Sequence, residues 1–210
     1  MVYDIGGGNG FVSLALQTSG FRVALLEPGI GAINAIQRGV HNVIRATLHD
    51  ACLSSASVPA VCLCDVLEHI EDEQGCLSEL RRILTPGGRF YCTVPAHRWL
   101  WSGEDVEAGH YRRYTIESIR RALEQAGFTV DYVTHFFSYL PVPIWLLRVL
   151  PHQLSREPKV PRATNSAQHH HLPRLLQPIV GAIHRLELAA LEARVVLPFG
   201  SSLLCVAKVP

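Results

Sequence analysis

An apolar run that ends in Asp4-Ile5-Gly6-Gly7-Gly8-Asn9-Gly10 and passes into the helical pattern Phe11, Leu14, Ala15, Leu16 constrains this chain more than any other feature. Glycines at a strand-to-helix junction let the backbone approach a ligand closely, and the helix start offers free N–H donors. Such glycine density favours a ligand loop over a plain structural turn. The dinucleotide fingerprint G-x-G-x-x-G would need glycine at position 11, where this chain has Phe11, which argues against a hydride-transferring dehydrogenase. Instead Gly6, Gly8 and Gly10 alternate behind the acid Asp4. Glu27 ends the next strand 17 positions after Gly10, suited to accept hydrogen bonds from two ribose hydroxyls. Closing the Pro28-Gly29 turn is its competing role.

Apolar runs at 2–5, 21–26, 42–47, 61–64, 89–94 and 129–136 read as strands, the fourth apolar enough to be buried on both faces. Helical patterns fall between them at 32–38, at 72–84 and at 118–125, the last with Thr115 as N-cap and Gly127 as its stop. Pro86-Gly87-Gly88 is expected to end the second of these helices. Strand–helix alternation predicts an α/β fold, a mostly parallel sheet with helices on both faces and right-handed crossovers. From 141 to 198 the pattern changes to proline-punctuated helices around a polar stretch, 155–171, read as a mobile loop, before a final strand at 201–207. The domain reading is a core at 1–138, a helical cap at 139–198 and a closing core strand at 199–210.

Composition narrows the function classes. Nineteen Lys and Arg against eighteen Asp and Glu leave a net charge of +1 with no basic block, so a nucleic-acid partner is not expected. The most apolar stretch, 136–150, carries Pro141, Pro143 and Arg148 and is shorter than the ~20 residues of a membrane span. Six cysteines without a C-x-x-C pair, four of them in strand-like runs, read as free thiols in a reducing cytoplasm. Nothing at the N-terminus resembles a signal peptide. No metal site is expected: His169, His170 and His171 lie in a polar stretch without Cys or acidic partners.

The loop, the acid and the strand order together resemble a class I S-adenosylmethionine-dependent methyltransferase, over residues 2–136 and the last strand. Asp65-Val66-Leu67-Glu68-His69-Ile70 and Leu84-Thr85-Pro86-Gly87-Gly88 resemble motifs after strand four and before strand five in its small-molecule branch. Trp101-Ser102-Gly103-Glu104-Asp105 and Gly109-His110-Tyr111-Arg112-Arg113-Tyr114 are similar to a bacterial subgroup linked to glycan or lipid modification. The resemblance implies a Rossmann-like sheet with an antiparallel last strand, a helical insertion before it, and S-adenosylmethionine as cofactor. It implies that Gly6, Gly8 and Gly10 pack against the cofactor, with Asp4 supporting the loop. It further implies that Glu27 holds the ribose, that Asp50 serves the adenine, and that Cys64 and Asp65 line the methionine side. Members of the family begin with one or two helices before the first strand. Here only Met1 precedes it, which implies a truncated reading frame or a pocket lacking one wall.

The acceptor side falls after strand five. Trp101, Arg112, Arg113 and Tyr114 are expected to bind an acceptor, the arginines through an anionic group. Asp105 would orient His110, which with His69 is the candidate for taking a proton from an acceptor hydroxyl. The competing reading is a salt-bridged loop. The expected acceptor is a small molecule, a glycan or a lipid-linked group. The apolar stretches 139–150 and 175–196 read as a cap on the acceptor pocket, with contact to a bilayer surface as the alternative. A decayed relative that binds cofactor or a partner without catalysis is the rival function.

Overall fold

The computed structural model describes residues 1–154 and 177–210. Seven strands form one sheet in the order β3-β2-β1-β4-β5-β7-β6. Val2–Ile5 (β1), Val23–Leu26 (β2), Val43–Ile44 (β3), Val58–Cys64 (β4) and Leu84–Pro95 (β5) run parallel. Ser202–Lys208 (β7) inserts antiparallel between β5 and Thr129–Phe136 (β6). This is the expected α/β, Rossmann-like class with its antiparallel final strand. Sequence order reverses between β1 and β4, and open α/β sheets bind ligands outside the strand ends at such a crevice.

Alternation along the strands sends neighbours to opposite faces. In β2, Leu25 joins Ala35 and Val40, with Leu14 packed against them, under Phe11–Thr18 (α1) and Gly31–Arg38 (α2). Its neighbour Leu26 joins the larger core with Val61, Leu63 and Phe90. Glu73–Ile83 (α3) and Ile116–Gln125 (α5) bury Leu77, Leu80, Ile83, Ile119 and Leu123 in that core. Each fully buried leucine contributes roughly 1.5–3 kcal/mol. Asp72 caps α3 by accepting from Gly75 N at 2.9 Å. Thr115 and Ser118 form a reciprocal capping box on α5.

Three strands depart from expectation, β4 by starting at Val58, not at 61. β5 begins at Leu84, not at 89, because Pro86-Gly87-Gly88 bulges within the strand. The pairing steps from Val58↔Leu84 to Ala60↔Arg89, and Gly87 takes φ +72°. Backbone bonds to Val209 hold the bulge, Gly87 N to Val209 O at 3.1 Å and Val209 N to Gly88 O at 3.0 Å. β3 shrinks to two residues at the sheet edge, and the chain beyond it turns through Thr47 and Asp50.

Between β6 and β7 the chain forms Pro141–Ile144 (α6), a π-helical turn at Trp145–Val149, Leu150–Leu154 (α7) and Gln177–Glu192 (α8). The buried Glu187 of α8 accepts from Ser138 N at 2.6 Å. Tyr132 Oη donates to Val195 O at 2.7 Å, tying the end of the insertion to β6. The polar stretch 155–171, with its three consecutive histidines, lies outside the described residues. Among the described residues no helix is long and apolar enough to cross a membrane.

Candidate active site

The glycine loop leaves β1 at the crevice. Gly6, Gly8 and Gly10 take φ of +69°, +53° and +76°, conformations that glycine adopts without a side-chain penalty. Gly10 also lets two elements meet: a Cβ there would sit 2.7 Å from Ala35 Cβ and 2.9 Å from Val40 Cγ2. Gly8 differs, since nothing lies within 4 Å of its Cβ position and it faces open space.

Glu27, at the end of β2, reaches back to this loop. Its Oε2 accepts from Gly8 N at 3.0 Å and its Oε1 from Gly29 N at 2.8 Å. One carboxylate thus braces the loop and closes the Pro28-Gly29 turn, and each oxygen keeps a lone pair for a ligand hydroxyl. Asp4 is fully buried. Its Oδ2 accepts from Ser13 Oγ at 2.6 Å, while Oδ1 has no partner. Burial raises its carboxyl above the usual range, against the lowering effect of Ser13. A cavity of about 460 Å³ opens beside the loop, lined by Gly6, Leu26, Pro28, Thr47, Leu48 and Val66 among others. That volume lies within the roughly 300–1,000 Å³ of small-molecule sites.

Cys64 and Asp65 stand at the end of β4. Asp65 is held at φ +53° and accepts from Thr93 Oγ1 at 3.1 Å. Cys64 Sγ lies 3.2 Å from Cys62 Sγ; this contact lowers the Cys64 thiol's pKa and, with burial, raises that of Cys62. Asp50 is set apart. It accepts from Thr47 Oγ1 at 2.6 Å on an exposed turn, and Thr47, Leu48 and His49 form the cavity wall there instead.

A second constellation follows β4. Glu68 and His69 occupy a 3-10 turn, Leu67–His69, and Tyr111 N donates to Glu68 O at 2.8 Å, fastening the distant loop of His110 against it. The rings of His69 and His110 meet edge to face with centroids 4.6 Å apart. His110 Nδ1 lies 2.8 Å from Asp105 Oδ1, as the sequence suggested. Asp105 is itself gripped by Arg113, Nε to Oδ1 at 2.7 Å and Nη2 to Oδ2 at 3.1 Å, and by Ser102 N at 2.8 Å. Burial alone would raise the Asp105 carboxyl, but the bond and charge of Arg113 with the Ser102 and His110 contacts hold it below the usual range. Burial pushes Glu68 up to about 8, and its Oε2 has no partner. Burial and the nearby His110 lower His69, which keeps its ring neutral at pH 7.

Three of the acceptor-side candidates are engaged within the fold. Arg113, at 10% side-chain exposure, is engaged bidentately by Asp105 and by the Ala96 carbonyl at 3.1 Å, so its charge holds the loop. Arg112 pairs with Glu73 Oε2 at 3.2 Å and with the Glu71 carbonyl at 2.8 Å. Tyr114 packs in the main core at 3% exposure. Trp101 stays half-buried where the loop enters Gly103–Glu107 (α4). The sequence reading also missed a ring stack at the end of β5: His97 lies against His135 at 4.9 Å and Trp99 at 5.6 Å, and Trp99 against Phe199 at 6.2 Å. His97 takes φ +61°, a strained conformation for a non-glycine residue that no sequence pattern announces.

The open Gly8 cradle, the Glu27 carboxylate at the strand end and the orphaned Asp4 oxygen fit a nucleoside bearing a charged amino-acid arm. Comparison with known proteins agrees. A family model described as a methyltransferase domain matches residues 2–133, and the chain belongs to that family. A Mycolicibacterium smegmatis protein named "probable S-adenosylmethionine-dependent methyltransferase" is 35% identical over 81 residues, covering 38% of this chain and 32% of that protein. The chain thus matches about a third of that relative's length. Among solved structures, an S-adenosylmethionine-dependent methyltransferase from Archaeoglobus fulgidus superposes with a TM-score of 0.63 at 17% identity, covering 99% of this chain and 85% of that one. Phosphoethanolamine N-methyltransferase 2 of Haemonchus contortus, in complex with S-adenosyl-L-methionine, gives 0.60 at 17%, covering 100% and 48%. At these identities the likeness is one of fold.

Proposed function

We propose that this chain transfers the methyl group of S-adenosylmethionine to an acceptor that is a small molecule, a glycan or a lipid-linked group. The observation that carries the reading is the bond from Gly8 N to Glu27, which joins the open glycine cradle to a carboxylate at the strand end. When bound, the cofactor supplies a methyl already activated on a sulfonium sulfur. The protein's work is then alignment and exclusion of water. Glu27 accepts the ribose hydroxyls, and Asp4 steadies the loop. Cys64 and Asp65 border the methionine arm. An acceptor hydroxyl enters beside His69 and His110, whose ring nitrogens accept its proton. The arginines act one step removed: Arg113 fixes Asp105, and Asp105 fixes His110.

The test is release of S-adenosylhomocysteine, followed by mass spectrometry, from a panel of hydroxylated aromatics, sugar nucleotides and lipid-linked glycans. Product with at least one acceptor, lost in His110→Ala while cofactor binding persists, supports the reading. Cofactor binding without product from any acceptor would instead mark a binding module.

A further inference from the structure

We propose that Glu68, His69 and His110 form a binding site for a divalent transition-metal ion at the acceptor side of the cleft. The three side chains each offer one ligand atom, and these atoms lie within 4.8 Å of one another. They come from two loops whose sequence positions are 41 residues apart, brought together by the Tyr111 N to Glu68 O bond. Sequence spacing alone therefore gave no sign of the cluster.

Three features point to an ion and not to a chance grouping. Glu68 is 1% exposed, yet its Oε2 has no hydrogen-bond partner. A buried carboxylate oxygen left unpaired is costly, and a cation relieves that cost. His110 also has one ring nitrogen engaged by an oxygen, its Nδ1 by the Asp105 carboxylate at 2.8 Å. That is how metal-ligating histidines are held, the outer N–H fixing the tautomer so that the inner nitrogen keeps its lone pair for the ion. Asp105 is in turn locked by Arg113 and Ser102, so the support extends another layer outward.

The donor set selects the ion class. Two imidazole nitrogens and one carboxylate oxygen suit zinc, manganese or ferrous iron, whereas magnesium and calcium prefer oxygen ligands alone. Ligands at about 2.0–2.2 Å from an ion stand roughly 3.3 Å apart. Closing from 4.8 Å asks for a small side-chain movement, which the exposed His69 is free to make. Three protein ligands leave positions open for water or an acceptor.

The role of the ion in turnover rests on the methyl-transfer reading above; its binding does not. With the ion in place, the histidine nitrogens are ligands and no longer bases. An acceptor hydroxyl drawn to the ion gives up its proton to solvent water more readily. Its electron pair forms the new C–O bond as the C–S bond breaks, leaving S-adenosylhomocysteine.

The experiment is titration of chelator-treated protein with zinc by calorimetry and with manganese by loss of the free-ion paramagnetic signal, magnesium serving as the contrast. Wild type should bind one zinc or manganese per chain, far more tightly than magnesium. Glu68→Gln, His69→Ala and His110→Ala should each weaken that binding at least tenfold. Because His69 is exposed, His69→Ala keeps the fold, which circular dichroism verifies. Absence of binding in wild type, or binding that survives all three substitutions because thiols carry it, would overturn the proposal. Titration of S-adenosylmethionine into the same proteins separates the two ideas. Ion binding failing with cofactor binding intact sinks only the metal site, and the reverse sinks only the methyltransferase reading.

Discussion

Replacing Asp105 by Asn isolates the hub on which the acceptor side depends. The carboxylate accepts from Ser102 N, His110 Nδ1, Arg113 Nε and Arg113 Nη2, all between 2.7 and 3.1 Å, at 1% side-chain exposure. An asparagine keeps the shape but offers one acceptor oxygen, turns an NH2 toward a donor, and leaves a guanidinium of 10% exposure uncompensated. Breaking a buried pair from one side costs about 3–5 kcal/mol. For a chain of this size each kcal/mol moves the melting temperature by about 2–4 °C, so a fall of roughly 6–20 °C is expected. Differential scanning calorimetry reads it. The double variant Asp105→Asn/Arg113→Met should recover part of the loss, because the stranded charge is then gone. A fall worth less than ~1 kcal/mol, with no recovery in the double variant, would show that the pair behaves like a solvated surface bridge and that the hub reasoning is wrong.

Gly10→Ala should destabilise the fold by about 1–3 kcal/mol in chemical denaturation, since its Cβ meets Ala35 and Val40 at φ +76°. Gly8→Ala should cost less than Gly10→Ala, its Cβ position being open. Asp131 bridges Arg89 and Lys208 across β5, β7 and β6, and Lys208 and Arg89 hold its carboxyl below the usual range. The folded pKa is the lower one, so this pairing stabilises above the unfolded value near 3.8 and fades as pH falls through the folded one. Asp131→Asn should therefore cost up to ~1 kcal/mol at pH 7 and progressively less as the pH is lowered, read from urea midpoints. Cys64 should alkylate faster than the buried Cys92 and Cys205, whose thiols burial raises, and S-adenosylmethionine should slow it, as peptide mass spectrometry would report.

What the sequence disclosed follows from how local each signal is. β1 and β6 fall where apolar runs placed them, and Thr115 caps α5 as its hydroxyl chemistry requires. The alternating glycines and Glu27 were legible because a tight loop and a strand end leave sequence marks. The Pro86-Gly87-Gly88 bulge was not legible, because its stabilising partner is Val209 at the far end of the chain. The internal partners of Arg112, Arg113 and Tyr114 were not legible for a related reason. A polar, aromatic loop looks exposed until Glu73, Asp105 and the core are folded around it. The burial of Glu68 and the left-handed backbone of His97 depend on tertiary packing and have no local signature.

The central claim is that the crevice between β1 and β4 binds S-adenosylmethionine through the glycine loop and Glu27. Isothermal titration of S-adenosylmethionine and of NAD into wild type and Glu27→Ala tests it most directly. One S-adenosylmethionine per chain should bind, NAD should not, and Glu27→Ala should weaken binding by about 1–3 kcal/mol, the worth of hydrogen bonds to a charged acceptor. No heat with S-adenosylmethionine, equal binding of NAD, or an unchanged dissociation constant in Glu27→Ala would contradict the account.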